Sequence, residues 1–153
     1  LALDRPELLE PFMTREEIAE IVSWADETSV LAESRAVRRY AKFMHDPTEG
    51  GFLGGLDEIS QLCGRRAELW RDALPVHPLT KRAAERLGFD PLKLIASGSL
   101  LAVVPEDKAG EAQASLRAAG FGSVVAGRMG GPLTEKLPEP AEELWRLLKM
   151  GKE

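Results

Sequence analysis

The tightest local constraint on this chain is a seven-residue stretch, His45-Asp46-Pro47-Thr48-Glu49-Gly50-Gly51, set between two runs of different periodicity. Ahead of it, Tyr40-Ala41-Lys42-Phe43-Met44 has the aromatic and apolar bias of a short strand. Behind it, Phe52, Leu56, Ile59 and Cys63 recur at the spacing of one helix face. The order is therefore strand, tight polar turn, helix start. Glycines that open a helix let main-chain N–H groups approach a ligand, and the positive end of the helix favours an anion. Asp46, Thr48 and Glu49 form an acidic, hydroxyl-bearing bend beside Gly50 and Gly51. The same residues also make an ordinary capped turn in which Pro47 keeps the chain extended. Local physics leaves both readings open.

Upstream, residues 4–38 read as helical. Thr14-Arg15-Glu16-Glu17 fits a capping box, followed by the apolar stripe Ile18, Ile21, Val22 and Ala25. A further helix is expected from Ser29 to Arg38, ending in the basic residues Arg35, Arg38 and Arg39. These either balance the helix dipole in solvent or reach an anion at the nearby turn. Gly54-Gly55 inside the next helix costs on the order of 1 kcal/mol per residue relative to alanine and implies close packing. Cys63 shares that helix's apolar stripe and is expected to be a buried structural thiol.

Downstream, Ala67 to Arg71 has weak strand character. A helix should start near His77-Pro78 and stop at Gly88, with Leu79, Ala83, Ala84 and Leu87 facing inward. Ala96-Ser97-Gly98 precedes Ser99 to Val104, apolar on both faces and expected as a central strand. A helix with Ala109, Ala112, Leu116 and Ala119 as its stripe ends at Gly120, and residues 122–127 return as a strand. If the two strands are parallel, this unit is right-handed. Gly127-Arg128-Met129-Gly130-Gly131-Pro132 lacks the lysine and hydroxyl of a phosphate loop and is not read as one. Pro138 and Pro140 introduce a last helix with Ala141, Leu144, Trp145 and Leu148 inward. Interleaved helices and strands of this kind give an α+β class, a mixed β-sheet flanked by helices.

His-Asp-Pro-Thr-Glu-Gly-Gly at 45–51 resembles the Asp-x-Thr-x-Gly-Gly signature of the C-terminal domain of the aminoimidazole ribonucleotide (AIR) synthase superfamily. That superfamily includes PurM, thiamine-monophosphate kinase, selenophosphate synthetase and HypE. Leu74-Pro75-Val76, Leu87-Gly88-Phe89-Asp90-Pro91-Leu92 and Ala96 to Pro105 resemble its HypE-like hydrogenase-maturation branch in order and spacing, so the likeness runs from about residue 28 to about residue 130. It implies a PurM C-terminal-domain-like fold with partial ferredoxin-like topology. It also implies that residues 1–153 form a single C-terminal domain whose N-terminal ATP-binding domain is absent. A start at Leu1, not at methionine, agrees with that expectation.

In such a family ATP activates an oxygen-bearing group by phosphoryl transfer with Mg²⁺. The resemblance makes this chain the substrate-side domain, incomplete as an enzyme alone and binding neither ATP nor Mg²⁺ by itself. Asp46, Thr48, Glu49, Gly50 and Gly51 would meet phosphate or substrate, and Ser97 and Gly98 would form the facing rim or serve only as a strand-entry turn. No catalytic acid or base is assigned. The branch usually carries Asn-Glu-Gly where this chain has Ala96-Ser97-Gly98, so a carboxylate is missing. HypE carries its substrate on a C-terminal cysteine, whereas this sequence ends Met150-Gly151-Lys152-Glu153 and its one cysteine is internal. Dehydration of a thiocarbamate on its own tail is therefore not expected. The expected partners are the N-terminal ATP-binding domain, a second copy in a full-length homodimer, and a small-molecule or protein-borne substrate. The alternative is a non-catalytic ligand-binding or protein-interaction module that keeps the fold.

Composition bounds the remaining classes. A net charge of −5 argues against bulk affinity for nucleic acid or anionic membrane. One cysteine rules out an internal disulfide framework and suits a reducing, cytoplasmic setting. No apolar run approaches the roughly 20 residues of a membrane helix. His45 and His77 with Asp46 and Glu49 match no zinc spacing, so no metal site is expected from this chain alone.

Overall fold

A computed structural model describes residues 1–134 and 143–150. A short 3₁₀ turn, Pro6–Leu8, precedes α1 (Arg15–Ser23) and α2 (Leu31–Val37). β1 (Phe43–His45) leads through the bend into α3 (Gly51–Cys63) and β2 (Arg65–Leu69). Then come α4 (Pro78–Leu87), β3 (Leu101–Val103), α5 (Ala109–Ala118), β4 (Gly127–Pro132) and α6 (Glu143–Lys149).

The helix ends obey their sequence signals. Thr14 Oγ1 accepts the N–H of Glu17 at 3.2 Å, and Glu17 returns the bond by accepting the Thr14 N–H at 3.0 Å. Two orphan donors are thus satisfied at the start of α1. His77 Nδ1 accepts the N–H of Leu79 at 3.3 Å, Pro78 follows it, and Gly88 closes α4 in the left-handed region at φ 64°. Leu79, Ala83 and Ala84 of α4 pack with Ala2, Leu9, Met13, Phe89 and Leu147 as the main core. Ile18, Ile21 and Val22 of α1, with Trp24 just after it, lean on that cluster. A second contact joins α2 to α5, where Ser115 Oγ donates to the Ala36 carbonyl at 2.8 Å.

The α+β class stands, but the described strands form two antiparallel ladders in place of one mixed sheet. Phe43 pairs with Val103, Met44 with Ala102 and His45 with Leu101. β2 pairs with β4, Ala67 opposite Met129 and Leu69 opposite Gly127, with an irregularity between Arg65 and Ala67. The strands before and after α5 do not pair with each other, so the parallel case does not arise. Residues 121–126 carry no strand assignment, and the return strand is the glycine-rich run 127–132 instead. The reason is steric. A Cβ at Gly127 would lie 2.1 Å from the Glu68 carbonyl oxygen, so only glycine lets the two backbones come this close. The Trp70 N–H continues the ladder by donating to the Ala126 carbonyl at 2.8 Å. Residues 99 and 100 likewise stay outside β3, which has β1 as its one partner among the described residues.

Two further expectations shift. Cys63 is exposed, because the last turn of α3 runs past the core before Gly64 reverses the chain at φ 64°. On α6 the fully buried residue is Leu147, while Trp145 stays 60% exposed, so the inward stripe is out of phase with the expected one. Pro138, Pro140 and Ala141 lie outside the described residues. Among the described residues no helix is long and apolar enough to cross a membrane.

Candidate functional site

The bend after β1 is built from its proline outward. Pro47 is fully buried, and the Thr48 N–H turns back to the Asp46 carbonyl at 3.0 Å. Gly50 and Gly51 then take φ of 68° and 63°, the left-handed region that side chains resist. Asp46, Thr48 and Glu49 are exposed, whereas Gly50 and Gly51 are buried. The Gly51 N–H lies 3.4 Å from the Thr48 carbonyl. A Cβ on Gly51 would sit 2.3 Å from the Leu94 carbonyl oxygen and 2.8 Å from that of Leu92. Gly51 therefore has a packing reason independent of any ligand: the Pro91–Lys93 turn lies directly on it.

The second motif segment meets the first through the backbone. The Ala96 N–H donates to the Pro47 carbonyl at 3.2 Å, which ties the 96–98 turn to the bend. Gly98, at φ 88°, backs onto the Glu27 carbonyl, 2.4 Å from where a Cβ would be. Ser97 is exposed and lines a shallow cavity of about 250 Å³ with Leu3, Ile21, Trp24, Thr28 and Ile95. The bend and the turn are thus joined through the main chain, Asp46, Thr48 and Glu49 are exposed beside that joint, and Ser97 lines the shallow cavity. The Gly54-Gly55 pair shows the close packing that its cost in helix stability implied. A Cβ at Gly55 would lie 3.0 Å from Pro47 Cβ and 3.2 Å from Leu101 Cδ1, so α3 is pressed against both the bend and β3.

Two groups here escaped the sequence reading. His45 Nε2 lies 2.5 Å from Glu58 Oε2, bracing the end of β1 against α3, and its Nδ1 is 4.0 Å from Asp46 Oδ1. A separation of 13 residues carries no periodic signal that pairs them. Asp57, also on α3, has its carboxyl pushed above the ordinary range by burial. Its place on the flank of the helix stripe was the one available hint. The arginine cluster, by contrast, is not at the bend. Arg39 stacks over the Tyr40 ring at 4.6 Å, at the opposite end of β1. Among the described residues no group of three His, Cys, Asp or Glu side chains converges to hold a metal ion.

The chain is similar to two carbamoyl dehydratases named HypE. One is from Bradyrhizobium diazoefficiens, 34% identical over 113 residues that span 67% of this chain and 33% of the relative. The other is from Rhodobacter capsulatus, 41% identical over 101 residues, 65% of this chain and 30% of the relative. The chain therefore spans about a third of the length of these relatives. Among solved structures, a HypE–HypF complex superposes with a TM-score of 0.62 at 27% identity, covering 66% of this chain and 35% of the other. A hydrogenase maturation protein HypE in complex with ATP gives a TM-score of 0.55 at 30% identity, covering 60% of this chain and 28% of the other. The model of the AIR synthase related protein C-terminal domain matches residues 7–136, and the chain belongs to that family.

Proposed function

We propose that this chain is the C-terminal, substrate-side domain of a larger ATP-dependent enzyme of the HypE-like kind. In this reading a preceding ATP-binding domain and Mg²⁺ complete the site, and the full-length protein works as a homodimer. ATP supplies the γ-phosphoryl group: a P–O bond forms to an oxygen of the substrate, the bond to ADP breaks, and the oxygen becomes a leaving group. The chain's own part is to present the joined bend and turn. The Thr48 hydroxyl donates a hydrogen bond to an anionic oxygen, Asp46 and Glu49 orient donors on the substrate or water on a metal, and Ser97 with Gly98 forms the neighbouring rim. Gly50 and Gly51 hold the bend in shape beneath these side chains.

The observation that carries this reading is the main-chain bond from Ala96 to Pro47. It ties together two segments 49 residues apart, and three exposed polar side chains, Asp46, Thr48 and Glu49, flank it. Relatives that are named carbamoyl dehydratases, and a related structure with ATP, support the reaction class. The HypE–HypF complex supports a protein partner for the whole molecule.

One observation favours a second reading, a non-catalytic ligand-binding or interaction module. The turn reads Ala96-Ser97-Gly98 and offers no carboxylate. The two readings separate on the full-length protein. For the enzyme, ATP with Mg²⁺ raises the melting temperature, and Thr48→Val with Asp46→Asn lowers ATP turnover while leaving that shift in place. No nucleotide-dependent shift at saturating ATP leaves the module reading standing.

A further inference from the structure

We propose that the depression beyond the other end of the β1–β3 ladder is a second small-molecule site, one that takes a phosphate group on a hydroxyl-bearing ligand. It is an open cavity of about 590 Å³ lined by Tyr40 and Pro105 together with the charged residues Arg39, Lys42, Asp107, Lys108 and Glu111. That volume falls within the range of ordinary ligand pockets.

Its position follows from the ladder. The Lys42 N–H donates to the Val103 carbonyl at 2.8 Å, so the residue before β1 is pinned beside the residues after β3. The chain then reaches α5 through the Glu106–Lys108 turn, and Lys108 Nζ holds Glu111 Oε1 at 2.6 Å. On the facing side the Arg39 guanidinium lies over the Tyr40 ring, 4.6 Å from its centroid, with Nη2 on the Tyr40 hydroxyl. Arg39 therefore reaches the cavity on a braced side chain and does not sweep freely. Lys42 makes no ion pair among the described residues.

The charges select the ligand. Three cations face two carboxylates, so the cavity is net positive on a chain whose net charge is −5. Glu111 already neutralises Lys108, which leaves Arg39 and Lys42 as the two cations without a carboxylate partner among the described residues. A guanidinium and an ammonium lining one cavity suit a phosphate oxygen fork and a point contact. Asp107 and Glu111, which line the same cavity, can accept from hydroxyl groups, which a bare inorganic anion does not bring. The site lies apart from the bend at 46–51 and does not depend on its role.

Tyr40 is the only tyrosine of the chain, so selective isotope labelling of tyrosine gives a single ring signal in NMR. Titration with glycerol phosphate at constant ionic strength should move that signal saturably. Inorganic phosphate should move it more weakly, and glycerol or sodium chloride not at all. Lys42→Gln and Arg39→Gln should each weaken the apparent affinity about tenfold, the worth of one charge-assisted contact. Arg65→Gln, on β2, should leave it unchanged. A shift that is linear and equal for chloride and glycerol phosphate, no shift at all, or equal affinity in the Lys42 and Arg39 variants overturns the proposal. Far-ultraviolet circular dichroism of each variant separates lost binding from lost fold.

Discussion

The Arg5 guanidinium donates to the main-chain carbonyl of Leu148, 143 residues further along the chain, at 2.5 Å. A second nitrogen reaches the Met150 carbonyl at 2.5 Å, and Glu7 takes the Nε donor. Arg5 is 8% exposed, unusually low for a charged residue. It caps carbonyls at the end of α6, and its charge suits the negative end of that helix. Arg5→Met keeps most of the aliphatic packing but removes the guanidinium donors from those carbonyls. The expected loss is about 2 kcal/mol in urea unfolding, with faster hydrogen exchange along Glu143–Lys149 than along α4. Equal exchange in variant and parent would show that Leu147 alone anchors the helix.

A second cross-chain contact makes stability depend on acid. Glu17 accepts from both terminal nitrogens of Arg82, at 2.8 and 2.9 Å, and from the Thr14 N–H. The Arg82 bonds, and after them the Thr14 N–H, hold the Glu17 carboxyl below its ordinary value of 4.5. A carboxylate depressed by folding stabilises the native state fully above the unfolded value, and that contribution is lost as pH falls through the folded one. Glu17→Gln should therefore be less stable than the parent at neutral pH, and the two should converge below about pH 4.5. A constant difference across that range would mean that the variant acts through packing.

The signals legible in the sequence were those confined to one turn of chain. Thr14 and Glu17 sit three apart and form the box they spell, and Pro78 and Gly88 bracket α4 because their backbone restrictions act locally. What was not legible depends on which strands meet. Nothing in the run 127–132 announces that Arg65–Leu69 will lie against it, since the deciding feature is the absent side chain at Gly127 facing the Glu68 carbonyl. The candidate site divides in the same way. Asp46, Thr48 and Glu49 were readable as an exposed bend, but the carbonyls of 92 and 94 come from another part of the chain, and they turn Gly51 into a packing residue.

Cys63 offers a direct test of where α3 leaves the core. The residue is exposed, and the one polar contact of its thiol among the described residues is a long one, Sγ to the Ser60 carbonyl at 3.9 Å. Leu62 beside it is 71% exposed. A thiol reagent such as dithionitrobenzoate should label Cys63 in the native chain at a rate comparable with that in urea. Strong protection that disappears on unfolding would restore the buried thiol that the helix stripe implied.

Gly51 and Gly88 share nearly the same backbone, with φ of 63° and 64°, yet they should answer alanine very differently. Around Gly88 a Cβ would meet nothing within 4 Å. Gly88→Ala then carries only the left-handed strain, about 1 kcal/mol. Around Gly51 the same methyl group would lie 2.3 Å from the Leu94 carbonyl oxygen and 2.8 Å from that of Leu92, backbone atoms that cannot swing aside. Gly51→Ala must add displacement of the 91–94 turn to the same strain, for a total of about 3 kcal/mol or more. Because the Ala96 N–H holds that segment to Pro47, the displacement should carry the 96–98 turn with it. Urea unfolding of both variants, with amide shifts of Thr48 and Ser97 as the local readout, checks the difference. If Gly51→Ala costs no more than Gly88→Ala, the close stacking of the bend beneath the 91–94 turn is wrong, and its joint with residues 96–98 goes with it.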